Sequence, residues 1–107
     1  MAARRNGGSF DLDLLWELSA AATSMIQAVA ERLGLHPTDA RALALVEAAS
    51  EGAPMTPGKV AELTGLTTGA VTGVLDRLEN AGFVRREKAP DDRRQVIVRP
   101  VAARADE

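Results

Sequence analysis

The sequence predicts a mainly α-helical domain that ends in a small β-hairpin, and three observations carry that expectation. Four successive segments place apolar residues at helical spacing, each opened by a capping residue or a proline and closed by a glycine. Gly65 separates the third segment from the fourth, so those two helices are joined by a tight turn. After Gly82 the pattern changes to two runs rich in β-branched residues, FVRREK and QVIVR, on either side of APDDRR with its turn formers Pro90, Asp91 and Asp92.

A chain of 107 residues is most simply a single-core domain, and 46% hydrophobic with 26% charged residues is ordinary for a soluble globular protein. The absence of cysteine excludes disulfides and thiolate metal sites, and His36 is the single histidine, so no metal or other cofactor is expected. Acidic residues follow the N-terminal arginine pair where a secretory signal needs an apolar core, and no apolar run is long enough to span a bilayer. The expected location is cytoplasmic, with no membrane partner.

Taken in order, residues 1–8 read as a loose polar tail. Ser9 then reads as the cap of a long helix over residues 9–35, with Asp11 and Asp13 in its first turn and Gly34 at its end. Phe10, Leu14, Leu18, Ala22, Met25, Val29 and Leu33 form one apolar stripe, while Leu12, Leu15, Trp16 and Ile26 widen it beyond one face. Such a helix has two neighbours; in a small domain the second is another subunit, or the helix is buried more fully within its own core.

Pro37 suits the first turn of a second helix, with Ala40, Leu43, Ala44 and Val46 on or near its apolar face. EGAPM breaks that helix. Thr56 and Pro57 restart a short one as cap and first residue, with Val60, Ala61 and Leu63 inward and Lys59 and Glu62 outward. Leu66-Thr67-Thr68 opens the fourth helix, whose core stripe is Val71, Val74, Leu75 and Leu78. His36, before Pro37, reads as a capping or surface residue without a functional role. No nucleophile and base, paired catalytic carboxylates or phosphate-cradling glycine loop is present, so an enzyme is not expected.

The net charge of −2 hides a strong asymmetry. Residues 6–82 hold four basic residues against ten acidic ones, whereas residues 83–99 hold six basic against three acidic. A helix-turn-helix, threonines at the start of its second helix and a basic hairpin directly behind it together specify a winged helix-turn-helix over residues 36–100. In that fold the second helix enters the major groove, and the hairpin lies on the backbone or the adjacent minor groove.

VTGVLDRLENAGFVRRE and DDRRQVIV are the most specific stretches of a resemblance that runs from the first helix to about Arg99: the sequence resembles the MarR family of bacterial transcriptional regulators. The resemblance implies a sequence-specific regulator, typically a repressor, that binds a double-stranded DNA operator as a homodimer and is often released by a small-molecule effector. The reading helix would span about 67–81 and the wing about 85–97. A protein-interaction module that keeps the fold without specific DNA binding is the alternative.

Thr67 and Thr68 lie at the helix N-terminus, where hydroxyls, backbone N–H groups and the helix dipole suit a phosphate, although Thr67 equally suits plain capping. The outward face then carries Thr68, Gly69, Thr72, Gly73, Asp76 and Arg77. Thr72 suits a base edge, and Arg77 a phosphate or a pairing with Asp76 or a neighbouring Glu. Gly69 and Gly73 cost the helix roughly 1 kcal/mol each relative to alanine, so their bare face either lets DNA approach or relieves crowding against the preceding helix. Relatives commonly carry a basic residue at the position of Gly73.

In the wing, Arg85, Arg86, Lys88, Arg93 and Arg94 supply positive charge, and the resemblance implies that Asp92 orients Arg94 toward DNA. Physically, a fork held by a carboxylate loses less entropy on meeting phosphate, although Asp-Arg pairs in exposed turns are common and usually weak. Relatives continue beyond the second wing strand into one or two long helices that pair with the first to make the dimer. Residues 101–107 therefore read as the start of a truncated or missing dimerisation segment, or dimerisation rests on Phe10, Leu12, Leu15 and Trp16 alone.

Overall fold

A computed structural model describes residues 11–49 and 53–101. Four helices, α1 (Leu12–Leu33), α2 (Pro37–Ala48), α3 (Pro57–Thr64) and α4 (Thr68–Asn80), precede the antiparallel strands β1 (Val84–Ala89) and β2 (Asp92–Pro100). The cap of α1 is Asp11 rather than Ser9, which lies outside the described residues: Asp11 Oδ1 accepts the N–H groups of Asp13 and Leu14 at 3.0 and 3.2 Å. Pro37 and Pro57 start α2 and α3 behind the caps His36 and Thr56, as the sequence suggests.

The core forms where α2, α3 and α4 meet the hairpin. Leu43, Val46, Val60, Val71, Val74, Leu75, Leu78, Phe83, Val84 and Val98 are all buried there. Two residues placed inward by spacing lie outside, because α3 makes only two turns and Ala44 falls with Arg41 and Ala48 on the open strip of α2: Leu63 is 51% exposed and Ala44 is also exposed. Met55, in the segment read only as a helix break, is buried and pairs with β2, its carbonyl accepting the Val98 N–H at 2.9 Å.

The apolar residues of α1 stand in solvent, so the reading in which that helix is buried more fully within its own core does not hold. Its 22 residues run about 33 Å while the 12 of α2 run about 18 Å, so α1 extends well past the helix it packs on. Ala30 is its one buried residue; Leu14, Leu18, Met25, Val29 and Leu33 face solvent together with Leu12, Leu15 and Trp16.

The strands also reach farther into APDDRR than the β-branched runs indicate, leaving Pro90-Asp91 as the turn and a bulge between Lys88 and Ala89. The joint between α4 and the wing is a Schellman motif: Phe83 N–H donates to Leu78 O at 2.9 Å and Gly82 N–H to Glu79 O at 3.0 Å, with Gly82 at φ 86°. Alanine at Gly82 is expected to lower the unfolding free energy by about 1–2 kcal/mol, the cost of a Cβ in the left-handed region, as measured by urea denaturation.

Candidate nucleic-acid interface

Helix α4 turns its core stripe inward and leaves Thr68, Gly69, Thr72, Asp76 and Arg77 exposed and Gly73 half-buried. Thr67 caps the helix, its hydroxyl accepting the Ala70 N–H at 3.1 Å, which is the capping role weighed against phosphate binding. Thr72 donates its hydroxyl hydrogen to Thr68 O at 3.0 Å, so toward solvent it presents acceptor lone pairs and a methyl group. A base amino group or a thymine methyl is what that surface can recognise.

Both flanks of this face are braced by arginines. On one side Arg77 makes a two-point pair with Asp39 of α2, Nε to Oδ2 at 2.9 Å and Nη2 to Oδ1 at 3.0 Å. Neither Asp76 nor a glutamate is its partner, as sequence proximity suggested; the hydrogen bonds and the charge of Asp39 raise the Arg77 pKa further above its ordinary value. On the other side Arg86 of β1 reaches back to α4, 2.6 Å to Asp76 and 2.7 Å to Glu79, and its pKa is raised by those two hydrogen-bonded carboxylates. The wing is thereby tied to the helix it follows.

The glycines have no packing role against the preceding helix. A Cβ at Gly69 would meet nothing within 4 Å, and one at Gly73 would meet only Arg77 Nη1 at 3.5 Å, an ordinary contact. They open instead onto a groove of about 830 Å³ between α4 and the α1–α2 junction, bordered by Leu35, His36, Thr38, Asp39 and Arg77. His36 itself caps α2, Nδ1 accepting the Thr38 N–H at 3.2 Å. Alanine at Gly69 is expected to raise the unfolding free energy by up to about 1 kcal/mol through helix propensity alone, read from the urea midpoint at unchanged m-value.

The basic residues of the hairpin divide into two sets. Arg85 and Arg99 face each other across the strands, where like charges repel, and both pair with Glu87. Arg99 first and Arg85 second hold the Glu87 carboxyl below its ordinary range, so its contribution to stability is present at neutral pH and lost as acid passes through that lowered value. With Arg86 these residues are committed within the fold.

Lys88, Arg93 and Arg94 form the second set. Lys88 and Arg93 are exposed and make no ion pair among the described residues. The Arg94 side chain is 94% exposed, its Nε 3.6 Å from Asp92 Oδ1, while the same oxygen accepts the Arg94 backbone N–H at 3.1 Å. Asp92 therefore fixes the turn first and stands beside the guanidinium second. Of the dimer residues expected from sequence, Leu12 and Trp16 are 72% and 75% exposed and Leu15 is 47% exposed; Phe10 lies outside the described residues.

Sequence reasoning missed Asp39, which is 3% exposed and looked like an ordinary acidic residue of a helix first turn. Its partner lies 38 residues away, beyond any local pattern. Among the described residues there is no helix long and apolar enough to cross a membrane and no group of three or more potential metal ligands.

Known proteins share this sequence pattern and architecture. The sequence profile of the MarR family matches residues 33–95. YcgE of Bacillus subtilis, an uncharacterized HTH-type transcriptional regulator, is 49% identical over 77 residues, which make up 72% of this chain and 48% of that protein. The chain thus spans about half the length of that relative. The transcriptional regulator Tm0710 from Thermotoga maritima superposes with a TM-score of 0.70 at 26% identity, over 88% of this chain and 64% of that one. A mutant MepR of S. aureus bound to an oligodeoxyribonucleotide shares the fold with a TM-score of 0.68 at 17% identity, over 92% of this chain and 71% of that one. With the profile covering more than half of its residues and the helix order and basic hairpin laid out as described, the chain belongs to the MarR family.

Proposed function

We propose that this chain is a sequence-specific regulator of transcription, a repressor, that binds a double-stranded DNA operator through α4 in the major groove and the wing on the backbone and adjacent minor groove. The observation that carries the proposal is an open helix face, braced on both flanks, beside a hairpin tip whose Lys88, Arg93 and Arg94 are left for an outside anion. Thr68 sits at the free N–H end of α4 for a phosphate, and Thr72 is one turn farther on for a base. Arg86 acts here by holding the wing against the helix.

Gly69 and Gly73 let the helix backbone come close to the duplex, with the propensity penalty offset in the complex. Gly73→Ala is then expected to fold at least as stably as the parent and to bind DNA several-fold more weakly; full affinity in that variant contradicts close approach. The exposed Leu12, Leu15 and Trp16, with Phe10, are the proposed homodimer contact. Two α4 helices would then read successive major grooves about 10 base pairs apart. The recess of about 360 Å³ between α1 and α2, lined by Ser19, Thr23, Ile26, Pro37 and Arg41, is the place proposed for a small-molecule effector.

Binding of the 107-residue chain to a fluorescently labelled mixed-sequence duplex, titrated with salt, tests the proposal. The expected dissociation constant is about 1–100 μM with log affinity falling linearly against log salt. Absence of binding at low salt contradicts it and favours a protein partner.

A further inference from the structure

We infer that Asp39 is a positioning residue for DNA binding: it aims the unused edge of the Arg77 guanidinium at a backbone phosphate beside α4. The inference rests on the proposed DNA-binding function and names a residue outside the reading helix and the wing.

The Asp39 side chain is only 4% exposed, whereas the side chain of Arg77 is 60% exposed. A carboxylate that deep in the protein needs a partner with matched geometry, and both of its oxygens are taken by Arg77. Those two bonds use two of the five guanidinium N–H donors, leaving the Nη1 pair and one on Nη2. The fork also lies back along α4, with Nη1 at 3.5 Å from where a Cβ at Gly73 would stand. Three charged donors are therefore held beside the glycine face, at the rim of the groove, with the side chain already ordered before any ligand arrives.

Ordering in advance is what turns a surface arginine into a strong contact, since a long side chain otherwise gives up rotamer freedom on binding. Asp39 sits on α2, which is also the helix that α1 packs against. The pair thus fixes the reading helix to the element that carries α1.

A double-mutant cycle tests this with Asp39→Asn, Arg77→Ala and the combination, each confirmed folded by circular dichroism. Affinity for a labelled mixed-sequence duplex is measured across a salt series well below the unfolding midpoint. Arg77→Ala is expected to weaken binding about tenfold and to reduce the salt slope by about 1. Asp39→Asn is expected to cost about fivefold with Arg77 present and less than about twofold in the Arg77→Ala background.

Equal losses from Asp39→Asn in both backgrounds would overturn the inference, because Asp39 would then act only on the fold. An Arg77→Ala variant with unchanged affinity and slope would overturn it as well. Where Asp39→Asn does not fold, Arg77→Lys decides: it keeps the charge without the two-point fork, and parental affinity in that variant overturns the inference. Failure of the parent chain to bind any duplex overturns the DNA-binding function itself, and the role of Asp39 falls with it; binding by the parent without coupling overturns only the latter.

Discussion

Replacing Arg93 and Arg94 together by alanine is expected to weaken binding to a mixed-sequence duplex by about 10- to 100-fold near 0.1 M salt and to flatten the log–log salt dependence by about 2. Each phosphate contact releases close to one counterion, so two lost contacts set the size of the change. These two side chains are singled out because the other arginines of the hairpin, Arg85, Arg86 and Arg99, are already paired to Glu87, Asp76 and Glu79. Stability should stay within about 0.5 kcal/mol of the parent, since both residues are exposed and Arg94 has only a 3.6 Å neighbour in Asp92. An unchanged slope would mean that the wing tip does not meet the phosphate backbone.

The second large effect falls on the fold. Leu78→Ala should lower the unfolding free energy by about 3 kcal/mol, from lost burial and the cavity left behind, and bring the thermal midpoint down by roughly 10–20 °C. Leu78 is fully buried within the cluster that joins α2, α3 and α4 to the hairpin. It is also the residue whose carbonyl accepts the Phe83 N–H in the turn between reading helix and wing. Leu63→Ala is the control: a leucine that is 51% exposed should cost far less when truncated. Comparable losses at the two positions would contradict the placement of the core.

The contrast between those leucines shows what local pattern can and cannot establish. Helical spacing placed Val71, Val74, Leu75 and Leu78 correctly because α4 is covered along its length by other elements. The same reasoning put Leu63 inward, yet it is exposed, and the apolar stripe of α1 with Leu14, Leu18 and Met25 is exposed too, because burial within one chain depends on where the neighbouring helix ends. Glycine signals read well: Gly34, Gly65 and Gly82 all adopt positive φ at helix ends.

At the candidate site, sequence reading placed residues on one surface without finding the tertiary partners of the charged ones. Thr67, Thr68, Gly69, Thr72 and Gly73 follow from the register of α4, and the basic hairpin follows from composition. The Arg77–Asp39 pair and the bonds from Arg86 to Asp76 and Glu79 are tertiary, so charge counting could not tell a committed arginine from an available one. Gly69 and Gly73 stood between close approach and relief of crowding until the space around each removed the second explanation.

Sequence specificity is the central claim, and selection of binding sites by this chain from a pool of randomised duplexes tests it most directly. The expected result is an enriched motif whose preference relaxes at one position when Thr72 becomes alanine, while affinity for unselected DNA barely changes. A pool that emerges without enrichment, although the chain binds DNA in a salt-dependent way, would contradict the claim and leave a non-specific DNA-binding surface in its place.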